Sequence, residues 1–264
     1  RLSPDGRQVA LSTRIGTPDI WVLDWERGAF ARLTSGPGIR SVPAWTPDGR
    51  RITYWSGLPG KIGSLYWKAA DGSGPEQELL PGRSSGITAS WSPDARHLAY
   101  DERDEQGGWN VWVMPLGGDR QPRAFVATPA NELGPAFSPD GRFIAYHSNE
   151  SGRLEVYVQA FPGPGARFQV SSQGGENAVW ARNGRELFYR TGARMMAVDV
   201  ASGSTPRFGA PRLLWEKRYL EGVYDGHPEG RFLMIEPRQE ARPPSQFSFV
   251  LEWWSELRRN VPIS

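Results

Sequence analysis

Apolar and polar residues along this chain fall into short alternating runs that recur at a fixed spacing. One set of runs reads Val9-Ala10-Leu11-Ser12, Ile52-Thr53-Tyr54-Trp55, Leu98-Ala99-Tyr100, Phe143-Ile144-Ala145-Tyr146, Leu187-Phe188-Tyr189 and Phe232-Leu233-Met234-Ile235. About ten residues after each comes a second run rich in β-formers: Ile20-Trp21-Val22-Leu23, Leu65-Tyr66-Trp67, Val111-Trp112-Val113-Met114, Val156-Tyr157-Val158, Met196-Ala197-Val198 and Phe247-Ser248-Phe249-Val250-Leu251. Their length, alternation and β-branched or aromatic content predict strands. Weaker runs such as Ala31-Arg32-Leu33-Thr34 and Arg212-Leu213-Leu214 predict a third, outer strand in most copies.

Each copy is introduced by the same punctuation: Ser3-Pro4-Asp5-Gly6-Arg7, Thr46-Pro47-Asp48-Gly49-Arg50, Ser92-Pro93-Asp94-Ala95-Arg96, Ser138-Pro139-Asp140-Gly141-Arg142, Ala181-Arg182-Asn183-Gly184-Arg185 and His227-Pro228-Glu229-Gly230-Arg231. The acidic or amide position falls at 5, 48, 94, 140, 183 and 229, so the period is 43 or 46 residues. Pro presets φ for the first central position of a type I turn, Asp suits the next, and Gly supplies the left-handed residue that closes a three-residue hairpin. Ala95 is the exception at that last position. An aromatic residue before most turns (Trp45, Trp91, Phe137, Trp180) ends an innermost strand.

Four short strands per repeat of roughly 45 residues is a propeller signature. The expectation is an all-β, six-bladed β-propeller of four-stranded antiparallel blades. Its repeats fall at 1–41, 42–85, 86–132, 133–174, 175–217 and 218–264, within a single domain spanning 1–264. The first copy lacks its inner strand and the last its outer one, and Trp253 to Arg259 reads as a short C-terminal amphipathic helix. The chain opens inside a repeat, which points to a fragment of a longer protein whose ring closure draws on upstream residues.

Composition supports a packed β domain. Hydrophobic residues make up 38%, Trp numbers 12, and 31 Gly with 23 Pro supply many turns. The formal charge is +2 and the sequence pI about 9.0, because the basic residues are nearly all Arg. They are spread through the repeats with no clustering on one helix, which argues against a nucleic-acid partner. The absence of Cys excludes disulfides and thiolate metal sites. No run reaches the roughly 18 apolar residues of a membrane span, and no signal peptide is visible.

The repeated Ser-Pro-Asp-Gly-Arg, followed by Ile/Leu-Ala-Tyr and then by Val-Tyr-Val or Ile-Trp-Val, resembles the TolB-type propeller repeat, a relative of WD repeats, over essentially the whole chain. A narrower resemblance lies in the stretches 149–158, 161–165 and 183–189 and in the ending Phe249-Val250-Leu251-Glu252-Trp253-Trp254. These are similar to the C-terminal propeller of certain bacterial serine/threonine protein kinases. That resemblance implies a ligand-sensing or protein-interaction module downstream of a kinase domain. It leaves the compartment open between the periplasmic side of a membrane and the cytoplasm. The sixth turn departs from the pattern, with His227 and Glu229 in place of Ser and Asp.

Within these residues there is no kinase phosphate loop, His-Arg-Asp or Asp-Phe-Gly. No Gly-x-Ser-x-Gly elbow of a peptidase occurs either. His97, His147 and His227 lie in separate copies without metal-ligand spacing, so they read as ordinary strand or loop residues. The acidic ring of Asp5, Asp48, Asp94, Asp140, Asn183 and Glu229 reads as turn chemistry on the face opposite a binding mouth. Asp101, Glu102, Asp104 and Glu105 read as a solvated acidic loop. No catalytic residue, metal or cofactor is therefore expected. Candidate binding residues are those of the loops around the channel mouth: Arg40, Arg83, Trp109, Asn131, Glu132, Asn149, Glu150, Arg153, Glu176 and Asn177. Polar and Arg groups there suit a protein, peptide, small-molecule or glycan ligand. The alternative is the propeller of a hydrolase, either a glycan-processing enzyme or the gating domain of a prolyl oligopeptidase-type peptidase.

Overall fold

The computed structural model describes residues 1–236 apart from 14–15, 84–87, 202, 204 and 220–223. Antiparallel sheets follow one another around a ring. Blade 1 holds β1 (Gln8–Ser12), β2 (Ile20–Asp24) and β3 (Ala29–Arg32). Blade 2 holds β4 (Ile39–Trp45), β5 (Arg51–Gly57), β6 (Gly63–Ala69) and β7 (Gln77–Arg83). Blade 3 holds β8 (Ala89–Trp91), β9 (His97–Arg103), β10 (Trp109–Pro115) and β11 (Arg123–Val126). Blade 4 holds β12 (Glu132–Phe137), β13 (Phe143–Ser148), β14 (Glu155–Ala160) and β15 (Arg167–Gln169). Blade 5 holds β16 (Glu176–Trp180), β17 (Glu186–Thr191) and β18 (Arg194–Ala201), with its outer edge divided between β19 (Arg207–Phe208) and β20 (Arg212–Glu216).

The sixth copy differs from its expected form. Among the described residues it is a two-stranded ribbon, β21 (Tyr224–Gly226) and β22 (Phe232–Met234), so five blades are present where six were expected. The anticipated strand at 247–251 and helix at 253–259 lie outside the described residues, and no helix occurs among the described ones. In blade 1 the inner position is held by the first two residues, where Leu2 bridges Val9 and the Ala10 N–H donates to the Arg1 carbonyl at 2.8 Å.

The second strand of each blade is sandwiched by neighbouring blades, so both of its faces are covered. All six residues of β13 are buried, and Ile52, Thr53 and Tyr54 of β5 are fully so. The outer β3 is exposed along its whole length. A Trp at the end of the first strand clasps successive blades. Trp45 Nε1 donates to the Arg1 carbonyl (3.0 Å), Trp91 Nε1 to Thr53 Oγ1 (3.2 Å) and Trp180 Nε1 to the Ala136 carbonyl (3.0 Å). Each such ring removes roughly 200 Å² from water, about 5 kcal/mol of hydrophobic stabilisation at 25 cal/mol per Å².

The turns repeat the same hydrogen bonds. Ser3, Thr46, Ser92 and Ser138 donate their hydroxyls to Asp5, Asp48, Asp94 and Asp140 at 2.6 Å, and each of these Asp accepts the N–H two residues on. Neighbouring turns also touch. A Cβ on Gly49 would lie 3.6 Å from Pro4, and one on Gly141 would lie 3.4 Å from Pro93.

The ring closes with this same contact, since a Cβ on Gly6 would meet Pro228 at 2.9 Å and His227 at 2.6 Å. The Leu2 N–H donates to Asp225 Oδ2 (2.9 Å), and Leu233 joins Leu2, Val9 and Leu11 in one apolar cluster. The first and sixth copies therefore touch directly, where the repeat alone pointed to upstream residues.

Candidate functional site: the channel mouth

First strands run from the mouth to the Asp-bearing turn. The loops between second and third strands, and those between blades, therefore share the mouth face. On blades 3 and 4 they are tied together: the Trp109 N–H donates to Asn131 Oδ1 (3.1 Å), and the Asn131 N–H donates to Asn149 Oδ1 (2.8 Å). The Arg103 guanidinium stands 5.7 Å from the Trp109 ring centre, within cation–π range. Trp109, Asn131 and Asn149 thus form one preorganised patch.

The other expected residues are more committed to structure. Glu132 is fully buried and accepts the Thr128 N–H (3.3 Å) and hydroxyl (2.5 Å) and the Ser148 hydroxyl (3.4 Å); burial pushes its carboxyl up. Glu150 is paired in two-pronged fashion with Arg167, one contact being 2.8 Å. Arg153 bonds Glu155 (2.7 Å) and the Ser172 carbonyl. Glu176 faces Arg190 in the β16–β17 register. Asn177 holds a left-handed φ of 55° at a bulge in β16, where its carbonyl accepts the Tyr224 hydroxyl.

Arg40 lies buried between blades 1 and 2, where it faces Asp19 (3.5 Å) and Glu76 (3.8 Å) and donates to the Gly36 carbonyl. Arg83 ends β7 opposite Gly63; its side chain, and residues 84–87 beyond it, lie outside the described residues.

Sequence reasoning missed several residues. Asp101, read as part of a solvated loop, is instead a buried residue of β9. It accepts the N–H groups of Thr88 and Gly134, both at 2.8 Å, and burial pushes its carboxyl up. His147 occupies the equivalent position in β13. Its ring is buried against Gly134, its Nδ1 has no partner among the described residues, and burial lowers its pKa to about 4. Arg190 takes the same place in β17 and is also buried. The signal was available in the repeat: the residue after the second-strand Tyr is Trp55, Asp101, His147 and Arg190, divergent where its neighbours repeat.

Two exposed apolar residues stand on a further mouth loop. Leu58 (49% exposed) and Ile62 (75% exposed) flank Lys61 on the β5–β6 loop. Among the described residues no group of three or more His, Asp or Glu is placed to hold a metal ion, and no helix is long and apolar enough to cross a membrane. Two cavities, of about 200 and 270 Å³, open on the turn face, at the junctions of blade 5 with the sixth copy and with blade 4.

Comparison with known proteins agrees with this architecture. Residues 1–106 match the family described as TolB beta propeller domain. A TolB homologue of Chlorobium luteolum is 30% identical over 150 residues, which is 57% of this chain and 33% of that protein. The chain therefore spans about a third of that relative's length. An uncharacterised protein of Agrobacterium fabrum is 26% identical over 206 residues, covering 71% of this chain and 67% of its own. The crystal structure of TolB from Acinetobacter baumannii superposes with a TM-score of 0.69 at 17% identity, over 89% of this chain and 59% of that one. In its closed ring of antiparallel blades, its Ser-Pro-Asp-Gly-Arg turns and its Trp clasps, the chain is a β-propeller similar to those of the TolB type.

Proposed function

We propose that this propeller is a non-catalytic interaction module. Its rigid ring displays mouth loops to a protein or peptide, as the sensing region of a larger bacterial protein that carries a serine/threonine kinase domain. The observation that carries the binding reading is the rim of blades 2 and 3. There Leu58 and Ile62 are held out to water around Lys61, and the next blade presents Trp109 under Arg103. Exposed apolar side chains gain nothing from burial until a partner covers them. Trp and Arg are the residue types that dominate interface energetics. The Trp109–Asn131–Asn149 hydrogen bonds lower the ordering cost of binding. The kinase assignment rests on the resemblance of 149–158, 161–165 and 183–189.

The test is site-specific photo-crosslinking in the full-length protein inside its own bacterium, with the probe replacing Ile62 or, as a control, exposed Arg27 on the outer edge of blade 1. A discrete crosslinked protein from position 62 alone is expected. No discrete product, or the same products from both positions, would refute the mouth as the binding face. The reading frame that encodes the chain tests the second half. A kinase signature set supports it, and a Gly-x-Ser-x-Gly elbow after the propeller would replace it with a peptidase gating role.

A further inference from the structure

The end of each first strand is where neighbouring blades are clasped, and there copies two to five carry Trp45, Trp91, Phe137 and Trp180. The sixth copy carries Gly226 at this place in the repeat, immediately before the turn residue His227, whose N–H bonds the Arg231 carbonyl four residues on, one residue nearer than in the other five turns. Nothing in the backbone demands this glycine. Its φ lies outside the left-handed region, and an added Cβ would meet only Val179 Cγ1, at an ordinary 3.8 Å. The consequence of the glycine is space. A cavity of about 200 Å³ occupies the junction of blade 5 and the sixth copy, on the turn face.

The walls of that space are chemically specific. Phe188 and Trp215 both meet Phe232 edge to face, at 4.7 and 5.1 Å between ring centres, and all three line the cavity. Arg182, Arg212 and Arg231 also line it. The acidic residue among the lining side chains is Glu186, which pairs with Arg212. Arg182 reaches the Ser3 carbonyl at 3.3 Å, a single long contact that leaves donors of its guanidinium fork to other acceptors. The neutral form of His227 fits its contacts, with Nδ1 accepting from the Glu229 N–H and Nε2 directed to the Gly6 carbonyl. Arg231 is paired in turn with Glu229 at 2.6 Å, so the lining is aromatic inside, and Arg182 is the edge cation without a carboxylate partner among the described residues. A cavity of roughly 150 Å³ lined by apolar side chains already accepts a benzene ring, and three other copies of this repeat fill the corresponding space with an indole.

We propose that this junction is a binding site for a small planar aromatic carboxylate of one or two rings. The ring system takes the place of the absent clasp Trp, against Phe188 and Phe232 where they line the cavity, and the carboxylate meets Arg182. The site lies on the face opposite the mouth and stands independently of the mouth's partner.

Indole-3-acetate is the probe, titrated into the full-length protein by calorimetry, with tryptamine as the cationic counterpart of similar shape. Saturable binding with a Kd of about 1 mM or tighter is expected for a ligand of this size, at least about tenfold weaker for tryptamine. Gly226→Trp restores the clasp of the other copies and should abolish binding. Arg182→Glu reverses the edge charge at an accessible position and should weaken binding by about tenfold or more. No saturation in the millimolar range, equal binding of the two probes, or undiminished binding by a folded Gly226→Trp protein would overturn the proposal. Should Gly226→Trp fail to fold, Arg182→Glu decides, and undiminished binding there overturns it as well.

Discussion

Ala95 stands where the other five turns carry glycine, and it keeps the glycine geometry. Its φ is 57°, against 68 to 79° at Gly6, Gly49, Gly141, Gly184 and Gly230. The surrounding hydrogen bonds are unchanged: the Ala95 N–H reaches the Ser92 carbonyl at 2.9 Å, and Asp94 accepts from Ser92 and from the Arg96 N–H. The turn therefore imposes a left-handed conformation on an L-residue, at about 1–2 kcal/mol. The methyl group is exposed, so its removal forfeits no packing. Glycine's extra freedom in the unfolded chain takes back about 0.4–1 kcal/mol. Ala95→Gly should then stabilise the protein by about 1 kcal/mol, a rise of about 2–4 °C in Tm at this size. Thermal unfolding followed by circular dichroism, with a urea midpoint as a second measure, reads the effect. Gly141→Ala is the reciprocal experiment. It places a Cβ 3.4 Å from Pro93 at a φ of 73° and should cost about 1–2 kcal/mol. An unchanged or lowered Tm for Ala95→Gly would refute the claim that the turn holds residue 95 in strain.

Three further outcomes follow from the packing. Trp91→Phe keeps an aromatic ring but loses the Nε1–H bond to buried Thr53, and should cost about 1 kcal/mol in chemical denaturation. Gly134→Ala puts a Cβ 2.7 Å from the His147 ring at a φ of 63°, and should cost about 2 kcal/mol or more, part of it recovered in the double variant with His147→Ala. His147 has a folded pKa lowered to about 4, so between pH 6.5 and 4 the unfolded chain takes up a proton that the folded ring refuses. Its contribution is complete above pH 6.5 and falls by up to about 3 kcal/mol as pH drops to 4. That loss should be absent from His147→Gln measured alongside, and parallel stability curves for the two proteins would contradict it.

The turn carboxylates behave oppositely to Asp101 and Glu132. Hydrogen bonds from Ser3, Thr46 and Ser92 hold Asp5, Asp48 and Asp94 below the ordinary carboxylate range, whereas burial pushes the other two above it. The turn role was legible because Ser-Pro-Asp-Gly-Arg encodes its own geometry within five residues. The burial of Asp101 was not, because four acidic residues among the five at 101–105 read as a loop. Only the pairing of β9 with β10 and the approach of the Gly134 N–H from blade 4 show that the first of them points inward. Arg40 is a similar case. It lies near a loop in sequence, but its guanidinium turns back between blades to Asp19 and Glu76.

The amino-acid sequence by itself determined the repeat, its period, the turn chemistry, the strand order within a blade and the aromatic clasp, since all of these are local or recur every 43 to 46 residues. Tertiary structure decided what periodicity does not carry. The sixth copy closes the ring onto the first through Gly6, Pro228 and Asp225, contacts more than 220 residues apart in sequence. Burial of a charged residue depends on which neighbouring blade covers it, and Gly226 became a cavity only once Phe188, Trp215 and Phe232 stood around it. A missing side chain leaves no mark in a hydropathy pattern; its volume appears only between surfaces brought together from different blades.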